Sequence, residues 1–148
     1  MTENENIDPI LSQDMSDVSA NDPLLPKGQY RMEVMKVEQK QNSKQTGNVI
    51  SIQLKTLDPA TAVGGQPIPA GRYVFDTIGI TPSERNTKDM IQRRLKKFQV
   101  ACGVNSGAFH PVSQYEHKFV TVTLGMKKPT PDYPDEANQV KGYDVVAN

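Results

Sequence analysis

From Tyr30 onward the chain alternates in polarity. Tyr30, Met32 and Val34 are apolar, while Arg31 and Glu33 between them are charged. This is the period of a strand with one buried face. Met35 and Val37 then continue the apolar series on the other parity. One inserted residue shifts parity in this way, so the pattern predicts a β-bulge or strong bend near Val34–Met35. Ile50, Ile52 and Leu54 alternate with Ser51, Gln53 and Lys55 in a second strand. Arg72 to Ile80 is rich in aromatic and β-branched residues and predicts a third. The period then changes. Ile91, Leu95, Phe98 and Cys102 form one stripe of a helix of about four turns. Thr87 or Asn86 can cap its start and Gly103 its end. Phe119–Met126 predicts a fourth strand, with Val120, Val122 and Leu124 on one face and Phe119, Thr121 and Thr123 on the other. Val140–Val146 predicts a short fifth strand.

The segments between these elements read as connections. Residues 39–48 are wholly polar, residues 58–71 carry three Pro and three Gly, and Pro129 to Asn138 is a further loop. Residues 1–23 are rich in Asn, Asp, Glu and Ser and bury too little apolar surface to offset ordering entropy, so disorder is expected there. A single domain is expected over 24–148, entered through Leu24-Leu25-Pro26-Lys27-Gly28. The element order is three strands, a helix and two strands. It matches the OB-fold, a mainly β, five-stranded Greek-key barrel with one helix between strands three and four. Five strands and a helix also suit other α+β arrangements.

Charge sharpens this picture. The chain of 148 residues is formally neutral. Its first 26 residues hold Glu3, Glu5, Asp8, Asp14, Asp17 and Asp22 and no Lys or Arg, for −6. The rest holds all 17 basic residues and the other 11 acidic ones, for +6. A basic body behind an acidic segment fits polyanion binding, and equally an ordinary solubilising charge.

Several function classes lack support. There is no glycine-rich phosphate loop and no Gly-x-Ser-x-Gly elbow. His110, His117 and Cys102 cannot hold zinc without carboxylate help. His117 beside Glu116 reads as a surface pair, and Cys102 as a small core residue. Asp132, Asp135 and Glu136 share a proline-bearing loop that lacks calcium-site spacing. The expectation is a protein without catalysis, cofactor or metal. One cysteine, no secretion signal and no apolar run long enough to span a bilayer add the expectation of a cytoplasmic protein with no membrane partner.

Single-strand binding requires cations for phosphates and exposed rings for bases. An OB barrel presents them on strands two and three and on the loops joining strands one to two and four to five. The residues in those places are Lys36, Lys40, Lys44 and Lys55, then Arg72, Tyr73 and Phe75, then Lys127, Lys128 and Tyr133. Each has a plainer reading: a polar hairpin tip, two core aromatics, a rim residue among acids. Pattern alone leaves the parity of strand three open, because burying Val74 and Ile78 exposes the rings and the reverse exposes Asp76. Arg85, Lys88, Arg93, Arg94, Lys96 and Lys97 line the polar side of the helix, as a solvated face, a secondary polyanion site or a dock for the acidic segment. Residues 3–22 could cover the basic groove and compete with DNA, or recruit partners through Ile10-Leu11 or Leu24-Leu25.

Four phrases occur in order: Leu25-Pro26-Lys27-Gly28-Gln29-Tyr30, Ser43-Lys44-Gln45-Thr46-Gly47-Asn48, Gly71-Arg72-Tyr73-Val74-Phe75-Asp76 and Asn138-Gln139-Val140-Lys141-Gly142-Tyr143. Together they resemble a family of small bacteriophage and prophage proteins, long uncharacterised and often encoded near replication and recombination genes. The resemblance implies an OB-fold single-stranded DNA-binding protein acting in phage DNA replication or recombination, in the cytoplasm of a bacterial host. It implies single-stranded DNA, and replication or recombination proteins, as partners. One departure bears on partner recruitment: bacterial single-strand binders commonly carry their acids at the end of the chain, and here they stand at the front. The alternative is a structural or accessory phage protein that uses a β-barrel as an interaction module.

Overall fold

Seven strands and one α-helix make up the computed structural model, which describes residues 8–16, 23–42, 44–104, 107–109, 112–128, 131 and 137–146. In chain order these are β1 (Gly28–Gln41), β2 (Asn48–Thr56), β3 (Ala60–Thr61), β4 (Pro67–Ile68), β5 (Tyr73–Gly79), α1 (Lys88–Ala101), β6 (Phe119–Lys127) and β7 (Ala137–Asp144). Among the described residues, 3-10 turns cover Pro9–Ser12 and Val112–Tyr115. The protein is mainly β. Five strands form one antiparallel sheet in the order β5-β2-β1-β6-β7, and β3 and β4 form a separate two-stranded ribbon.

This architecture corrects the expected barrel in three respects. The main sheet is not closed: among the described residues its edges are β5 and β7, with no backbone ladder between them. The strands among the described residues number seven, because the connection 58–71 holds the short β3–β4 ribbon. Its Pro and Gly content hides any alternation, yet Gly65 at φ +91° turns the ribbon and the Ala62 N–H donates to the Gln66 carbonyl at 2.7 Å. The helix consequently follows the fifth strand in chain order rather than the third.

The phase slip in β1 has the expected cause. Val34 pairs with Leu54 and Lys36 with Gln53, which leaves Met35 as the extra residue. Met32 and Val34 before the bulge and Val37 after it are all buried. Without the inserted residue, the second half of β1 would turn its apolar side to water. β1 also runs further than its polarity suggests. Gln39, Lys40 and Gln41 pair with Ile50, Val49 and Asn48, so the polar stretch 39–48 is mostly strand and the turn shrinks to residues 42–47. Ladder hydrogen bonds use backbone groups only, so polar side chains do not stop them.

The inner face of the sheet carries the core: Met32, Val34, Ile52, Leu54, Val120 and Val122 are fully buried. Each such side chain contributes roughly 1.5–3 kcal/mol when removed from water. α1 covers part of this face with Phe98 and Ala101, joined by its C-cap residue Cys102. The Thr87 hydroxyl caps its start by accepting from the Met90 N–H at 3.3 Å, and Gly103 at φ +83° ends it. Burial pushes the Cys102 thiol up to about 12, as suits a core residue.

The expected disorder over residues 1–23 lies largely outside the described residues. Within it, Asp8 caps the Pro9–Ser12 turn by accepting from the Ile10 N–H at 3.0 Å, and no residue of that turn is buried. The body begins at Leu25, whose N–H and carbonyl both bond the Asn138 amide of β7, at 3.0 and 2.7 Å. No helix among the described residues is long and apolar enough to cross a membrane.

Candidate nucleic-acid interface

The parity of β5 is resolved by burial. Val74 and Ile78 point into the core, while Tyr73 and Phe75 stand 45% and 64% exposed on the outer face. The same outer face continues across the neighbouring strands by register. One row runs Phe119, Glu33, Lys55, Tyr73 over β6, β1, β2 and β5. The next runs Lys36, Gln53, Phe75, and the third Glu38, Ser51, Thr77. Directly paired residues share a face.

The start of β5 is fixed from β2. The buried Thr56 accepts from the Arg72 N–H through its hydroxyl at 2.9 Å, and its carbonyl accepts from the Gly71 N–H at 2.8 Å. Gly71 sits at φ +94°, a conformation that strains any side-chain-bearing residue. This turn sets the register in which Tyr73 and Phe75 face outward. Their rings lie 6.4 Å apart between centroids with planes 21° from parallel, so they stand side by side along the strand.

Sequence reasoning missed Phe119. Its alternation with Val120 placed it off the core face, which was the available signal. It is 54% exposed and occupies the same row as Lys55 and Tyr73. Among the described aromatic residues, the exposed ones are Tyr73, Phe75 and Phe119, and all three share this face.

The lysines of this face are partly compensated. Glu38 projects between Lys36 and Lys40 and pairs with both, at 3.4 and 2.9 Å. The hydrogen bond from Lys40 is the main reason its carboxyl sits below the usual range, with Lys36 adding to it. These three side chains, with Ser51, Gln53 and Phe75, line a depression of about 190 Å³. Glu33, in the row of Phe119, bonds His117 Nδ1 at 2.9 Å. The face therefore offers rings and cations with two carboxylates set among them.

The other expected residues lie apart from this depression. Lys40 is the exception: it lines the depression, and it does so from β1 rather than from a loop. Lys44 is exposed at the hairpin tip, where Asn42 holds a compact turn: its carbonyl accepts from Gln45 N–H at 2.9 Å and its side chain bonds both Thr46 N–H and hydroxyl. Ser43 lies outside the described residues. Arg72 precedes β5 on the alternate parity to the rings and lines a groove with Pro23, Pro67 and Pro69. Lys127 and Lys128 stand at the end of β6. The register Gly28↔Leu124 puts them beyond the start of β1, opposite the end that carries Lys36 and Lys40. Tyr133, the acidic loop residues Asp132, Asp135 and Glu136, and His110 lie outside the described residues.

A second concavity occupies the gap between the sheet edges. A cleft of about 390 Å³ is lined by Asp76, Thr77 and Ile78 of β5, Arg94 and Lys97 of α1, and residues 139–143 of β7. At its base the Tyr143 hydroxyl donates to Asp76 Oδ2 at 2.6 Å, and Asp76 Oδ1 accepts from the Thr77 N–H at 2.8 Å. A side-chain bond thus joins two strands that no ladder joins among the described residues. Burial raises the Asp76 carboxyl above the usual range, against the pull of Tyr143, Thr77 and Arg94. Burial also holds the Tyr143 hydroxyl well above its usual value, and the Asp76 charge adds to this. Among the described residues, no group of three or more His, Cys, Asp or Glu side chains could hold a metal ion.

No curated protein matches the chain. The profile of a family described as "Protein of unknown function (DUF669)" matches residues 11–147, nearly the whole chain, and the protein belongs to that family.

Proposed function

We propose that the protein binds single-stranded DNA, with little regard to sequence, across the outer face of β1, β2 and β5. The observation that carries this reading is the gathering of every exposed described ring, Tyr73, Phe75 and Phe119, on one sheet face beside Lys36, Lys40 and Lys55. Exposed rings are costly in water and suit stacking on unpaired bases, while lysines beside them suit the phosphates between those bases. The reading includes no covalent chemistry.

The fold supports it. The order β5-β2-β1-β6-β7 is that of an OB barrel cut between its third and fifth sheet strands, and the Tyr143–Asp76 bond spans that cut. We read the sheet as an OB-type barrel with a side-chain seam. The resemblance to phage proteins encoded near replication and recombination genes supplies the setting: coating of single strands during phage DNA replication or recombination in a bacterial cytoplasm.

Fluorescence anisotropy with a labelled single strand and its duplex, at two salt concentrations, tests the proposal. The expected result is preference for the single strand and weakening with salt. Equal or stronger binding to the duplex overturns it. The alternative, an accessory phage component that assembles through a sheet edge, draws support from the unpaired edges β5 and β7. It predicts concentration-dependent assembly and no oligonucleotide binding.

A further inference from the structure

The cations of the ring face and those of the seam cleft differ in what surrounds them. Lys36 and Lys40 share Glu38, and elsewhere Arg31 pairs with Asp58 and Arg93 with Asp89. Arg94, Lys97 and Lys141, which line the cleft, have no carboxylate within ion-pair distance among the described residues. Arg94 donates to Asn86 Oδ1 at 3.3 Å and Lys141 to Gln139 Oε1 at 2.9 Å, both neutral acceptors. The single described acid of the lining is Asp76, whose two oxygens already accept from Tyr143 and Thr77. Three cations thus face one acid in a concavity of about 390 Å³.

Lys141 is placed there by a local irregularity. Thr123 pairs with Gly142 and Leu124 with Val140, so Lys141 is the bulged residue of β7. Its stem crosses Gly125, where an added Cβ would lie 2.8 Å from its Cε. The stem lies against the bare glycine backbone of β6, and the ammonium bonds Gln139, a fellow lining residue at the cleft's β7 rim. On the other side, Thr77 both lines the cleft and follows Tyr73 and Phe75 on the outer face of β5. The ring face and the cleft therefore meet along one strand.

We propose that the cleft between β5 and β7 is a phosphate-ester site, and that a strand lying on Tyr73 and Phe75 turns over β5 to place its backbone against Arg94, Lys97 and Lys141. The polymer half of this proposal rests on the reading of the ring face; the phosphate half stands by itself. The cleft offers charge and no exposed ring, so it contributes salt-sensitive affinity without stacking. It also lengthens the site, because a strand too short to pass Thr77 gains nothing from it.

The test uses the full chain and a variant carrying Arg94→Gln, Lys97→Gln and Lys141→Gln, with thermal melting as a check on folding. Binding is measured for two oligothymidylates, one of about 8 and one of about 30 nucleotides, within and well beyond the span of one OB-type site. The expected result is a loss of about tenfold for the long strand at low salt, with a salt slope smaller by about 2, the value for three single-strand phosphate contacts. The short strand keeps its affinity within about twofold. Equal losses for both lengths mean that the three cations act only as a distant field, and overturn the polymer path. In a second arm, sodium pyrophosphate is titrated while the backbone amides of Thr77 and Gly142 are followed by NMR. Saturable shifts that vanish in the variant support a phosphate-ester site even if wild-type protein binds neither oligonucleotide, the outcome that defeats the ring-face reading. Absence of such shifts, or shifts that persist in the variant, overturns the cleft.

Discussion

The molecule holds two sets of aromatic side chains that the same sheet separates. The interior set is Phe98, Phe109, Tyr115 and Tyr143. Phe98 meets Tyr143 edge to face at 4.9 Å and Tyr115 at 5.5 Å, and Phe109 meets Tyr115 at 4.5 Å. Its buried hydroxyls are satisfied: Tyr115 bonds Gln99 at 3.1 Å and Tyr143 bonds Asp76. The exterior set, Tyr73, Phe75 and Phe119, covers no core and leaves ring faces open. Residue type is shared, so the difference in role follows from strand parity and from what lies across each ring. One set holds the helix to the sheet, and the other is available for a ligand.

The largest expected effect separates stability from binding. Phe98→Ala empties a fully buried site and should cost about 3–5 kcal/mol, read as a lower urea midpoint. Phe75→Ala should leave the stability within about 0.5 kcal/mol of the wild type, as an exposed substitution does. If Phe75→Ala destabilises the protein as much as Phe98→Ala, the two sets are one core and the comparison fails.

Binding should then divide them the other way. Phe75→Ala or Tyr73→Ala should weaken single-strand affinity by about 1–3 kcal/mol, the range for loss of one stacked base. Phe119→Ala should cost less, because Glu33 beside it repels the phosphate that would follow the base. A Phe119 loss equal to that of Phe75 would extend the stacking path across β1 and β6. Unchanged affinity in all three variants would remove the rings from the site.

The sequence carried this division only in part. Alternation in β1, β2 and β6 and the helical stripe of α1 were legible, because each element buries one face and leaves the other to water. The bulge at Met35 was legible for the same reason, as a change of parity. Three things were not. The β3–β4 ribbon pairs two residues on each side, too few to show a period. The length of β1 depends on backbone pairing that polar side chains do not record. The seam cleft depends on β5, α1 and β7 meeting, and no local pattern shows that Asp76 faces Tyr143 across 67 positions of chain. For the candidate site, the rings and lysines were readable one by one. The pairing of Lys36 and Lys40 with one Glu38 was not, because it needs β1 to run on through Lys40, inside the polar stretch that reads as a loop.

The bond at the edge of the interior set gives a pH test. The Asp76 carboxyl is raised in the folded chain, so its ionisation costs more there than in the unfolded chain. Its contribution to stability is therefore fully present below the ordinary carboxylate value and is lost as pH rises through the raised one. Asp76→Asn does not ionise. Paired thermal melts should show the difference, variant minus wild type, moving in favour of the variant between about pH 3 and pH 7. A difference that moves the other way would mean that the charged carboxylate is what the seam favours, and that Tyr143 and Arg94 outweigh burial.

The smallest effect concerns the exterior set. Glu38 now neutralises part of the charge that Lys36 and Lys40 would offer to phosphate. All three side chains are substantially solvated, so the pairs contribute little to folding. Glu38→Gln removes the charge while keeping the shape and an acceptor for Lys40. Its melting temperature should therefore stay close to that of the wild type. Single-strand affinity should rise by up to about fivefold at low salt and converge with the wild type as salt screens the lysines. The gain should survive in the Phe75→Ala background, because charge and stacking act on different parts of the ligand. Weaker binding by Glu38→Gln would assign the carboxylate the opposite part, that of holding both ammonium groups at the spacing the strand requires.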